Sequence, residues 1–169
     1  MNFRNENNNL GLGTTVQELS GSAGNPAGAP TVSNLKPVSR IYVDIPVSAV
    51  NLTATNVAGW VFRAPVACQV LAINAVAATP ASSSMTIQLT KMPLASQPAA
   101  PSGTGNQVLT AAALNLDTGL VANTVLAVGL ATTAANLVLA AGDLIGFTAS
   151  GAATGLIGGN IQVELQQLS

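Results

Sequence analysis

Histidine is absent from this 169-residue chain, and cysteine occurs once, as Cys68. Without histidine there is no Ser-His-Asp or Cys-His catalytic arrangement, and the commonest metal ligand is missing. A single cysteine forms no internal disulfide. Charge is also scarce. Five basic and six acidic residues make up 7% of the chain, against about 25% in an ordinary soluble domain. The basic residues Arg4, Lys36, Arg40, Arg63 and Lys91 are scattered, whereas a polyanion needs several phosphate contacts in one place. No nucleic-acid partner is therefore expected. No basic amphipathic helix is present to lie on a membrane. The first residues, with Arg4, Glu6 and a run of asparagines, do not read as a secretory signal.

The six carboxylates are Glu6, Glu18, Asp44, Asp117, Asp143 and Glu164, and nothing in their spacing marks a glycosidase pair or a calcium loop. Asp117 and Asp143 adjoin Thr or Gly at expected turns, where an aspartate caps backbone N–H groups. No catalytic residue, metal ligand or cofactor site is expected, and the chain does not read as an enzyme. Thr118–Gly142 carries no charge and is long enough to span a bilayer. Its threonines and asparagines, and its lack of an aromatic belt or positive flank, favour strands instead.

What remains is alanine, valine, leucine and small polar residues, with hydrophobic residues at 49% and a net charge of −1. Such a surface has little charge to oppose association, and so suits a protein whose surface is taken up by other proteins. Residues 1–39 are rich in Asn, Gly and Pro and read as an extended arm that orders on a neighbouring subunit, with Phe3, Leu10, Leu12, Val16 and Leu19 as its apolar contacts and a disordered tail as the alternative. Residues 40–169 read as the body. Ile41, Val43 and Ile45 alternate with Tyr42 and Asp44. Asn56–Ala64 places Ala58, Trp60 and Phe62 on one face; Trp60 and Phe62 are expected as core anchors, with an exposed aromatic platform as the alternative. Ala67–Ala77 is apolar on both faces and reads as a central strand. Met85, Ile87 and Leu89 alternate with Thr86, Gln88 and Thr90. A Pro, Ser and Gly-rich loop follows over 92–106, then further strands over 108–116, 121–131, 137–140 and 144–148, the last two divided by the turn Ala141-Gly142-Asp143. A short helical turn is possible at Ala111–Leu114. Ile161, Val163 and Leu165 alternate with Gln162, Glu164 and Gln166 in the last strand. The expected fold is all-β, a jelly-roll-like β-sandwich of about eight strands with an extended N-terminal arm.

Three blocks carry a resemblance: G-W-V-F-R-A-P-V-A-C-Q-V at 59–70, L-V-L-A-A-G-D-L-I-G-F at 137–147 and G-L-I-G-G-N-I-Q-V-E-L at 155–165. Across about residues 40–168 the chain resembles the jelly-roll decoration, or cement, proteins of tailed-bacteriophage capsids and the related head-fibre bases. The Gly-Asp block also resembles trimeric jelly rolls of the tumour-necrosis-factor and C1q type. The first resemblance implies a homotrimer on the outer surface of a virion, assembled in the host cytoplasm. It would clamp major capsid protein subunits, with the arm reaching to adjacent ones. The very low charge departs from many such proteins. A second expectation is a carbohydrate- or receptor-binding or connector module of a tail or fibre, with Tyr42, Trp60 and the 92–106 loop as its platform.

Overall fold

The computed structural model describes residues 39–47, 57–97, 100–103, 105–152 and 154–168. The expected arm residues Phe3, Leu10, Leu12, Val16 and Leu19 lie outside them. Ten strands are described: β1 (Arg40–Pro46), β2 (Val57–Arg63), β3 (Cys68–Val76), β4 (Met85–Met92), β5 (Gln107–Val108), β6 (Leu114–Asn115), β7 (Leu126–Ala127), β8 (Val138–Leu139), β9 (Leu144–Gly151) and β10 (Asn160–Gln167). Two short 3-10 turns, Leu94–Ser96 and Ala134–Leu137, are the helical elements among them. Ala111–Leu114, a possible helical turn by composition, is a bend leading into β6. No helix among the described residues is long and apolar enough to cross a membrane.

The strands form two antiparallel sheets. The first runs β1, β10, β3, then β7 and β8 end to end along the far side of β3; the second runs β2, β9, β4, then β5 and β6 end to end along the far side of β4. Counting each split pair once gives eight strand positions, distributed as in a double-sheet jelly roll. The body is therefore an all-β, jelly-roll-like sandwich. The first body strand pairs with the last, Arg40 opposite Gln166 and Pro46 opposite Asn160.

Alternation explains the core. Val43, Ile45, Ile161, Val163 and Leu165 point inward from the first sheet; Met85, Ile87, Leu89, Ile145 and Phe147 meet them from the second. Burial of each such side chain contributes about 1.5–3 kcal/mol. The space bounded by Ile73, Ile87, Leu89, Leu114, Val128 and Ile161 does not admit a water-sized probe.

Two β-bulges alter the expected phase. In β3 the register shifts so that Glu164 faces Ala72 while Leu165 faces Val70, which leaves Leu71 as the extra residue. Val70 and Ile73 therefore both point inward although three residues apart. The strand is central, as expected, but it is not apolar on both faces; a bulge produces that appearance. On one flank, the split strands are tied together. Thr110 bridges Leu130, the Ala111 N–H donates to the Gly129 carbonyl at 2.8 Å, and the Ala131 N–H donates to the Leu109 carbonyl at 2.9 Å. This short ladder joins the two sheets where each would otherwise present an open edge.

Candidate functional site

The second bulge places the aromatic residues. In β2, Trp60 faces Gly146 and Phe62 faces Ile145, so Val61 is extra. Ile145 and Phe147 are inward residues of β9, and Phe62 packs with them against the core. Gly146 alternates with them, so Trp60 lies on the outer face. The expectation that Ala58, Trp60 and Phe62 share one face and that both aromatics anchor the core is therefore corrected. Phe62 is the anchor, and Trp60 sits half-buried on the outer face with Ala58. Gly146 makes this possible. A Cβ there would lie 2.5 Å from Trp60 Cε3 and 2.6 Å from the Gly59 carbonyl oxygen, so only glycine lets the indole lie against the sheet. Tyr42 is 56% exposed on the outer face of the other sheet. It stands among Arg40, which pairs with Glu164, and Asp44, whose carboxylate accepts from Asn160 Nδ2 at 3.1 Å and Gln162 Nε2 at 3.0 Å. Tyr42 and Trp60 thus belong to different faces, and no common platform forms.

The loop after β4 folds over the outer face of the second sheet. Thr90 points outward yet is 6% exposed, because the loop covers it; its hydroxyl donates to the Pro101 carbonyl at 3.3 Å. Asp143 fastens the start of this loop, as expected of a turn-capping aspartate. Its carboxylate accepts from the Leu94 N–H and from the Ala140 N–H, each at 2.9 Å. Gln97 Nε2 donates to the Gly142 carbonyl at 3.1 Å. Asp117 caps its own turn by accepting from the Thr118 N–H.

Beside the loop the outer face opens into a groove of about 310 Å³. Its floor is Thr86 and Gln88 of β4, Thr148 and Ser150 of β9 and Ala58 of β2, and Ser102 of the loop forms a wall. Ala58 and Thr148 are cross-strand partners, and the next outward pair on the same strands is Trp60 and Gly146. The indole is thus one outward row from the groove, roughly 7 Å along the strand. Every lining side chain among the described residues is uncharged. Gln88 is held in place by donating its Nε2 to Thr110.

Lys91 is the residue that composition alone does not place. It follows Met85, Ile87 and Leu89 in phase, so it points between the sheets and is 4% exposed. Its Nζ donates to the Ala135 carbonyl at 2.9 Å and the Val138 carbonyl at 2.7 Å, which ties β4 to the 3-10 turn across the sandwich. Burial pushes its pKa below the ordinary value, and the carboxylate of Asp143 opposes that shift. The signal in the sequence was the unbroken alternation that carries Lys91 onto the inward face.

Cys68 is fully buried. Burial pushes its thiol pKa up, and Asp143 adds to the effect, so the nucleophilic thiolate is disfavoured. Native protein is expected to react with a thiol-specific disulfide reagent at least ~100-fold more slowly than protein in denaturant. Equal rates, followed by absorbance of the released thiolate, would contradict the buried placement. No cluster of three His, Cys, Asp or Glu side chains suited to a metal occurs among the described residues.

The chain segment that carries the sheet-joining ladder is notable for its lack of charge. From Met92 to Gly142 the chain carries one charged residue, Asp117. Ala111, Ala112 and Ala113 are exposed there, and so are Val121 at 67% and Val125 at 65%. No protein-family model matches the chain, and none of the curated proteins compared with it does either.

Proposed function

We propose that the protein is a virion structural component, a jelly-roll decoration protein that binds the outer surface of a phage capsid and stabilises contacts between major capsid protein subunits. The observation that carries this reading is the stretch Met92–Gly142, which holds one charged residue, Asp117, and exposes Ala111, Ala112, Ala113, Val121 and Val125. A surface of this kind gains by leaving water against another protein and loses little charge hydration in doing so. Self-association into a trimer would place three arms and three flanks on one particle, and several weak contacts would then hold it firmly. The absence of histidine is in keeping with a role in assembly.

The test is the solution mass of the full-length chain by light scattering, paired with co-sedimentation on isolated capsid shells. A trimer that saturates shells is expected. Ala112→Lys with Val125→Lys adds two charges to exposed positions and is expected to weaken shell binding or trimer formation at least ~10-fold, with the melting curve unchanged. A chain that stays monomeric and never pellets with shells would overturn the reading. So would a double variant that trimerises and decorates shells like the parent.

A further inference from the structure

We propose that the groove on the outer face of the second sheet is a binding site for a neutral saccharide, with Trp60 as the ring that a sugar face packs against. This inference does not depend on the decoration reading.

The chemistry of the lining selects the ligand class. Thr86, Ser102, Thr148 and Ser150 bring hydroxyls that donate and accept, and Gln88 adds an amide. Among the described residues no lining side chain carries charge. An anionic ligand would lose its hydration with no cation to replace it, and a cation would meet no carboxylate. A ligand dense in hydroxyls matches, since each of its groups can serve as donor or acceptor against the same kind of group. The threonine methyls and Ala58 provide apolar patches for C–H faces between the polar atoms. The volume of about 310 Å³ lies at the small end of the range for ligand pockets, ~300–1,000 Å³. That suits a unit of one or two rings.

The construction of the site also favours a ligand role. Pleated outer faces expose side chains at every second residue, and here a loop stands beside them to form a wall. The loop is held by Asp143 through Leu94, by Gln97 through Gly142 and by Thr90 through Pro101. Gln88 is oriented by Thr110. The indole is pressed against Gly146 on the same face, so its plane is fixed before any ligand arrives. An aromatic plane one row from hydroxyl-bearing side chains suits a pyranose, whose one face is apolar and whose edge is polar.

Trp60 is the single tryptophan of the chain, so intrinsic emission reports on this site alone. The experiment titrates the full-length protein with a panel of neutral mono- and disaccharides and with sialylated and sulphated counterparts, reading tryptophan emission, and repeats the titration by calorimetry. Saturable binding of at least one neutral sugar is expected, in the range from tens of micromolar to millimolar, with charged counterparts at least ~10-fold weaker. Thr148→Tyr keeps a strand-forming residue and fills the groove. It is expected to weaken binding at least ~10-fold while the melting curve and the solution mass stay as in the parent. Trp60→Phe, read by calorimetry, is expected to weaken binding several-fold. No saturable response to any neutral sugar would overturn the proposal. So would an emission change that persists unaltered in Thr148→Tyr, or charged sugars binding more tightly than neutral ones.

Discussion

Replacing Lys91 with alanine is expected to lower the free energy of unfolding by about 2–4 kcal/mol. Three methylenes of buried stem are lost, at ~0.8 kcal/mol each. The Ala135 and Val138 carbonyls lose the ammonium that they share, and a buried acceptor left unpaired costs ~1–3 kcal/mol. Against this stands relief from holding a dehydrated charge, which keeps the total below the sum. Lys91→Met keeps the stem and removes the charge, so its cost is expected to be smaller. Denaturant titration of the three proteins gives the order parent, Met, Ala.

The pH dependence has a definite sign. The folded state holds the Lys91 proton less tightly than the unfolded chain, whose ordinary value is 10.5. In the window just below 10.5 the unfolded state therefore binds more protons, and stability rises with pH there. Below the folded value, the dehydration cost is present in full. The parent is expected to gain on Lys91→Met as pH climbs through this window. A difference that stays flat, or that shrinks with rising pH, would show that the ammonium is not dehydrated in the fold.

Gly151→Ala is expected to cost about 2–5 kcal/mol. The residue ends β9 opposite Met85, with φ +92°. A side chain in that region carries strain of ~1–2 kcal/mol. Its Cβ would also fall 2.1 Å from the Ser84 carbonyl oxygen and 3.1 Å from Met85 Cα. Both are backbone atoms, so no rotamer change relieves the contact, and overpacking of this kind adds ~1–3 kcal/mol. Gly129→Ala is the matched comparison. Its Cβ would meet only Ala111 Cβ at 3.6 Å, so it is expected to be neutral or to stabilise by ~0.4–1 kcal/mol through the unfolded state. Midpoints in urea distinguish the two. A Gly151→Ala protein as stable as the parent would contradict the described approach of β9 to β4.

Strands with one core face and one wet face were legible residue by residue. β1, β4 and β10 follow their alternation from end to end, and Asp117 and Asp143 cap the turns that their neighbours suggested. The bulges at Val61 and Leu71 were not legible, because neither carries a glycine or proline to mark it and each shifts the phase within an apolar run. That is why Trp60 was expected beside Phe62. The stretches 108–116 and 121–131 contain enough apolar residues for full strands, yet form short pieces, since residues 109–111 of the first pair with 129–131 of the second across the sheets. The groove could not be read because its walls come from positions near 58, 87, 102 and 149, which only the sheet order brings together. Alternation tells that Thr86, Gln88 and Thr148 point outward, but not that they point to the same place.

The pairing of the first body strand with the last has a mechanical meaning. Arg40 lies opposite Gln166, and the Gln167 N–H reaches the Ser39 carbonyl at 2.9 Å, so the chain enters and leaves the body at one pole, side by side. Tension applied through these two points would load the β1–β10 ladder rung by rung, like a zipper, instead of straining all its hydrogen bonds together. The body would then yield at low force when pulled through these two points. Such an object is poorly suited to transmitting a pull along its own chain.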